Sequence, residues 1–292
     1  MCTLSGIPSG VFMFSRDELK SRREALPPSI LRSGDRRLLA PMDADAGGTW
    51  IGVNDQGLLV ALLNRYDGPG QAFPVRSRGL LVRDLLAGIS LKRAEENLKR
   101  LELRRYDPFT LLLVQWGDAI LARWDLSHLV IEPLDLNVPF MLTSSGLGDS
   151  FVEGPRRKLF RELISNNDLG EGQMLFHAHT WRDQPEISVR MERADACTVS
   201  ITRVELRSDR ATMAYAVSKE NRSSLVFQPA LSLRLMKRAM ALSYAGQPQE
   251  VDSEHKQNFR SGGVRDRSGF RGQSQRAASD GALARPGHRR VK

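Results

Sequence analysis

Cysteine is nearly absent: Cys2 and Cys197 are the two thiols in 292 residues. Two thiols cannot build the disulfide framework of a small secreted scaffold, so a reducing, cytoplasmic setting is expected. Long apolar runs are missing as well. No stretch approaches the ~20 apolar residues that a membrane helix needs, and the start of the chain lacks the basic and apolar segments of a signal peptide, with charges already at Arg16 and Asp17. No membrane span is expected. Histidine is scarce, five in all, and no spacing suggests a Ser/His/Asp triad or a Cys/His pair. His177 and His179, in "HAHTW", would share a face of an extended segment. No carboxylate or cysteine completes a ligand set around them, so no metal is expected. The glycines of "AGGTW" lack the spaced Lys-Ser/Thr of a phosphate loop and precede strand-like sequence. Gly47 and Gly48 are expected to permit close backbone approach, with Trp50 packed beside them as core or as pocket wall. There is no internal repeat and no heptad run.

What is present describes an ordinary folded protein, with 41% apolar and 26% charged residues. The net charge of +9 is unevenly distributed: residues 246–292 carry ten Lys/Arg against five Asp/Glu, supplying +5 of it. That segment is rich in Gly, Ser, Gln and Arg and poor in aliphatics, so it cannot bury enough apolar surface to fold. One folded domain over 1–243 and a disordered basic tail over 244–292 are expected. Because the excess charge lies in the tail and no nucleic-acid module is visible, no nucleic-acid partner is expected.

Within the body, "CTLS" and "VFMF" flank a turn at "GIPSG" and predict an opening hairpin. "TWIGVND" and "LLVALLNR" predict a second pair around Asn-Asp-Gln-Gly. Leu80, Leu81, Leu85 and Leu86, then Leu91, Ala94, Leu98 and Leu101, recur at helical spacing. "PFTLLLVQWGDAILARWD" reads as two strands about Gly117–Asp118, and "HLVIEPL" as another. "PRRKLFRELISN" and "PALSLRLMKRAMALSY" read as helices, while "ISVRME", "CTVSITRVEL" and "ATMAYAVS" read as closing strands. Hairpins without βαβ units indicate an α+β fold with antiparallel sheets packed on helices.

Cys2 lies directly behind an initiator methionine that aminopeptidase removes when the second residue is small. The new terminus would carry a thiol and an α-amine whose reference pKa, near 7.7–8.0, suits a general base. Chain reversal at "IPSG" returns Ser15, Arg16 and Asp17 alongside Cys2. Arg16 could lower the thiol pKa or hold a substrate carboxylate or carbonyl, and Asp17 could orient the amine. A solvated surface hairpin is the competing reading.

"MCTL", "SRDE", "AGGTWIGVNDQG", "ALLNR" and "SRGLLVRDLL", in this order, resemble the NRDE family, whose eukaryotic branch is called transport and Golgi organisation protein 2. The resemblance is dense over 1–86 and continues more thinly to about 243. That family is more distantly similar to N-terminal-nucleophile hydrolases of the choloylglycine hydrolase type. The resemblance implies an αββα sandwich of two antiparallel sheets between helix layers, and hydrolysis of a linear amide or acyl bond, a C–N bond other than a peptide bond. It implies a nucleophile at Cys2, an arginine and aspartate facing it at Arg16 and Asp17, and an oxyanion donor at Asn64. A second asparagine of the hydrolases is replaced by Ser144 and Ser145. Their late arginine has only Arg193 as a counterpart, in a shifted context. The alternative is a non-catalytic protein that binds or traffics haem or an acyl lipid in the same pocket, so the expected partner is a small amide, acyl or haem-like ligand.

Overall fold

The computed structural model describes residues 2–66, 76–218 and 225–236. The tail expected over 244–292 lies outside them. Two antiparallel sheets carry the architecture. The first runs in the order β10 (Phe140–Ser144), β1 (Cys2–Ile7), β2 (Val11–Leu19), β11 (Ala196–Leu206), β12 (Arg210–Val217) and β13 (Leu231–Arg234). The second contains β3 (Leu26–Ser33), β4 (Arg36–Met42), β5 (Ile51–Asn54), β6 (Leu59–Asn64), β7 (Phe109–Gln115), β8 (Asp118–Trp124) and β9 (Leu129–Pro133), in chain order. Every strand of the second sheet therefore pairs with its neighbour in sequence.

The sheets face each other across one apolar core. Leu4, Phe12, Phe14 and Val204 of the first meet Leu39, Ile51, Ala61, Leu63 and Leu112 of the second. The strands alternate, so the opposite faces need covers. Helices α1 (Arg78–Leu86) and α2 (Leu91–Arg100) cover the second sheet, burying Leu81, Leu85, Ala94 and Leu98 against Leu38, Val60, Leu111 and Leu113. Helices α3 (Asp149–Asn166) and α4 (Leu169–Ala178) cover the first. The result is the expected α+β fold, an αββα sandwich.

Local chemistry explains the elements. Ser77 caps α1 by accepting from the Gly79 N–H, and Ser90 caps α2 by accepting from the Arg93 N–H. Asn54 ties the β5–β6 turn to the end of α1. Its Oδ1 accepts from Gln56 N and Leu58 N, and its Nδ2 donates to the carbonyls of Leu86 and Gly88.

Two segments depart from expectation, and two others form elements for which none was stated. "LPPSILRS" forms β3 despite two prolines, because β3 is an edge strand with a register shift between Leu26 and Ser29, where missing N–H donors are tolerated. "ISVRME" is not a strand: Pro185–Ile187 is a 3-10 turn, and the carbonyls of Ile187 and Ser188 accept from Arg156 instead of from a ladder. "PALSLRLMKRAMALSY" is not helical over its described part. Leu231–Arg234 pairs with β12, and Leu233 and Leu235 both point into the core between the sheets, a period of two. Residues 237–244 of that expected helix lie outside the described residues. "LGEGQMLFHA", which gave no helical signal, is α4. Gly172 lets it lie against α3, where a Cβ would stand 2.6 Å from the Leu163 carbonyl oxygen.

Candidate active site

The opening hairpin sets the site by register. Cys2 is directly opposite Arg16 on β2 and opposite Ser144 on β10, so the chain's second residue is flanked by strands on both sides. Directly paired residues share a face. Cys2 and Arg16 therefore point between the sheets, toward Trp50, Leu62 and Asn64 on or beside β5 and β6. Cys2, Arg16, Asp17, Trp50 and Asn64 all line one cavity of about 140 Å³. Five of the eight residues singled out from sequence thus meet in one place.

The cavity closes on its third side through the approach of two glycines. A Cβ on Gly48 would stand 2.4 Å from the backbone carbon of Gly79, and the Thr49 N–H donates to the Gly79 carbonyl at 3.0 Å. This contact brings the start of α1, with Ser77 and Arg78, onto the cavity wall. The close approach expected of Gly48 is thereby explained.

Arg16 is heavily committed. Its guanidinium carbon lies 4.4 Å from the Trp50 ring centroid, and its Nη2 donates to Glu18 and Asp43, each at 2.9 Å. Asp43 also accepts from Arg22 and from the backbone N–H groups of Asp45 and Ala46. Sequence reading missed Asp43, Glu18, Arg22 and Arg78. Glu18 was within the quoted "SRDE" and Arg78 within "SRGLLVRDLL"; Asp43 gave no periodic or spacing signal, and tertiary contact brings it and Arg78 to the cavity.

Burial pushes the Cys2 thiol above its ordinary pKa and the Asp17 carboxylate acts in the same direction, with nearby positive charge, including Arg16, opposing. Burial also raises Asp17, whose charge is favoured in turn by Arg156 and by a hydrogen bond from Thr198 Oγ1 at 2.6 Å. Its other oxygen, Oδ2, is buried with no partner among the described residues. Asn64 is half-buried, with its Nδ2 at 3.4 Å from the Tyr66 hydroxyl.

The remaining expected residues lie elsewhere. Ser144 is buried beside Cys2 but lines an adjoining cavity of about 170 Å³, together with Asn64 and Thr143. Ser145 belongs to the turn that starts α3: its N–H donates to Asp149 Oδ1, and its Oγ accepts from Leu147 N. Arg193 does not line the cavity and pairs with Asp195 at 3.2 Å. His177 is fully buried in the last turn of α4, with Nε2 at 2.8 Å from Ser5 Oγ and Nδ1 at 2.7 Å from Ser15 Oγ. Burial, helped by Arg156, lowers its pKa to about 3, so it is neutral. No cluster of three metal-ligating side chains occurs among the described residues.

Beneath the site, Arg156 of α3 reaches the underside of β1. It donates to Thr3 Oγ1, Thr143 Oγ1 and the carbonyls of Ile187 and Ser188. It is fully buried, and burial lowers its pKa against the opposing influence of Asp17 and Cys2.

Comparison with known proteins gives a family match and several distant folds. The family model described as Transport and Golgi organisation 2 matches residues 11–162, just over half of the chain. No curated protein sequence matches. Among solved structures, the chain is similar to an N-acylethanolamine-hydrolyzing acid amidase ortholog of Caenorhabditis elegans, at 14% identity and TM-score 0.48, covering 70% of this chain and 92% of that one. It is similar to a C2A mutant of the conjugated bile acid hydrolase of Clostridium perfringens, at 13% and 0.48, covering 80% and 92%. A penicillin V acylase of Agrobacterium tumefaciens gives 12% and 0.42, covering 77% and 88%.

Proposed function

The chain belongs to the Transport and Golgi organisation 2 family, and on that premise we propose that it is an N-terminal-cysteine amidohydrolase acting on a linear amide or acyl substrate once Met1 is removed. The observation carrying this reading is the register that sets Cys2 opposite Arg16 on a cavity shared with Asn64. In the acylation step the thiol proton passes to the Cys2 α-amine as Sγ bonds to the substrate carbonyl carbon. The carbonyl oxygen takes the negative charge, and Asn64 Nδ2 donates to it. The amine then returns the proton to the leaving nitrogen, the C–N bond breaks and a thioester remains. Water repeats the cycle, giving its proton to the amine and releasing the acid with rupture of the C–S bond.

Asp17 and Arg16 take different parts. The unpartnered Asp17 Oδ2 supports a role in accepting from the new α-amine. Arg16 holds β2 against Trp50, Glu18 and Asp43 and acts as a positioning residue. Neither cysteine is in a disulfide, and no described helix is long and apolar enough to cross a membrane; a reducing, cytoplasmic setting would keep the nucleophile available.

A second reading is favoured by the buried, raised-pKa thiol and by serines where an amide donor was sought. In it the pocket holds a ligand without turnover. A cavity of about 140 Å³ is well below the ~300–1,000 Å³ of typical small-molecule sites. It therefore suits one end of an acyl compound better than a haem.

Intact mass of the purified chain followed by a screen of amide and acyl substrates tests the choice. The amidohydrolase reading predicts loss of Met1, turnover by wild type, loss of turnover to background in Cys2→Ser, and a ~10²–10³-fold fall in Asn64→Ala. Retention of Met1, or equal rates in wild type and Cys2→Ser, overturns it.

A further inference from the structure

Three arginines line the cavity, and only two of them are neutralised by neighbours. Arg16 is paired with Glu18 and Asp43, and Arg22 with Asp43 at 2.8 Å and with Asp45 at 3.4 Å, so both have carboxylate partners. The third, Arg78, opens α1 and is partly buried on the cavity wall. Its Nη1 donates to the Pro108 carbonyl at 2.8 Å. That bond fixes one edge of the guanidinium. No carboxylate among the described residues stands within ion-pairing distance of it; Asp107, Glu18, Tyr66 and the Cys2 thiol influence it only through longer-range attraction.

A cation partly withdrawn from water without a close counterion carries a cost, and such groups are normally paired. The cost is consistent with the downward push that burial exerts on Arg78. The backbone contact between Gly48 and Gly79 leaves the first turn of α1 little freedom to withdraw the side chain into solvent. The planar fork of a guanidinium matches the two oxygens of a carboxylate.

We propose that Arg78 is the anion-binding residue of this cavity and that the ligand is an amide or acyl compound bearing a carboxylate close to the reacting carbonyl. The inference rests on the reading of the cavity as the substrate site. It adds a ligand class that neither the family match nor the Cys2 chemistry supplies. The small volume sets the scale: the carboxylate and the reacting carbonyl enter together, and the rest of the molecule stays at the mouth.

Alkylation of Cys2 by two reagents of similar size, anionic iodoacetate and neutral iodoacetamide, tests this in the full chain, with Cys2 followed by peptide mapping so that Cys197 does not interfere. Arg78→Gln is expected to slow iodoacetate about tenfold, equivalent to about 1.4 kcal/mol, and to leave iodoacetamide within about twofold. Arg78→Lys should restore part of the preference, and matched melting temperatures exclude misfolding as the cause. An unchanged ratio of the two rates in Arg78→Gln overturns the inference and leaves the nucleophile reading intact. A lowered ratio at a Cys2 no more reactive than a free peptide thiol overturns the nucleophile reading and leaves the anion subsite standing. No reaction at Cys2 with either reagent overturns both.

Discussion

The two helix–sheet layers of the sandwich are built from opposite chemistry. Between α1/α2 and the second sheet, the buried contacts are almost wholly aliphatic and aromatic: Leu81, Val82, Leu85, Leu86 and Leu98 against Leu38, Val60, Leu111 and Leu113. Between α3/α4 and the first sheet, Met141, Phe160, Phe176 and Val189 form only a small apolar cluster. The rest of that layer is polar and largely hydrogen-bonded: Thr3 and Thr143 on Arg156, Ser5 and Ser15 on His177, and Gln173 on Ser5. The apolar layer does what any core does. The polar layer lies under Cys2 and Asp17, so it holds fixed charge and directional bonds behind the site, and satisfied polar networks specify geometry more strictly than apolar contact does.

The sharpest way to break this contrast is Arg156→Ala. It removes the donor to the Ile187 and Ser188 carbonyls, leaves the Thr3 and Thr143 hydroxyls to each other, and removes the cation that favours the Asp17 charge. A loss of about 3–5 kcal/mol is expected by denaturant unfolding, against a mutation that removes no apolar core residue. A loss under 1 kcal/mol would show that the polar layer is incidental.

Leu98→Ala strikes the other layer. Leu98 is fully buried between α2 and the second sheet, and its truncation should cost about 3 kcal/mol. The cost should be the same at pH 4.5 and pH 7.5, because nothing titratable is exposed by the cavity. A pH-dependent cost would mean that the two layers are energetically coupled.

The last effect is a slope rather than a single loss, and it belongs to His177. Its folded pKa of about 3 lies below the ordinary value of 6.5. Between those values the unfolded chain binds a proton that the folded chain does not, so stability falls as pH drops from about 6.5 toward 3. The slope is at most about 1.4 kcal/mol per pH unit. Asp17, raised by burial, acts with the opposite sign, so the comparison is between wild type and His177→Gln across pH 4–7. The variant should lose the His177 part of the slope, and identical slopes would sink the assignment.

This contrast also explains what could be read in advance. Helices α1 and α2 announce themselves because an apolar face leaves a 3.6-residue period. Helix α4 does not: its buried face is Gly172, Gln173, Phe176 and His177, helically spaced but with Phe176 as its one large apolar residue. The hairpin joining Cys2 to Arg16 and Asp17 was legible because a short turn dictates register. Asp43 and Arg78 were not, since only the Gly48–Gly79 contact and the folding back of residues 43–50 bring them to the cavity. The two segments misread as strand and helix, 187–192 and 231–234, had their backbone partners decided by distant residues, Arg156 and β12.

The strand orders also imply a timetable. The second sheet is a meander completed between Leu26 and Pro133, each strand closing on the one just made. The first sheet needs Cys2 to find Ser144 and Arg16 to find Ser200, pairings separated by most of the domain. Loop-closure entropy makes such non-local contacts slow. During synthesis, then, the wall bearing Trp50 and Asn64 can form while the first two strands still wait for their outer neighbours. The residues lining the pocket all lie between Cys2 and Gly79, yet the strands that flank Cys2 and Arg16, β10 and β11, come much later in the chain, so the frame that fixes this pair is completed after the pocket's other wall.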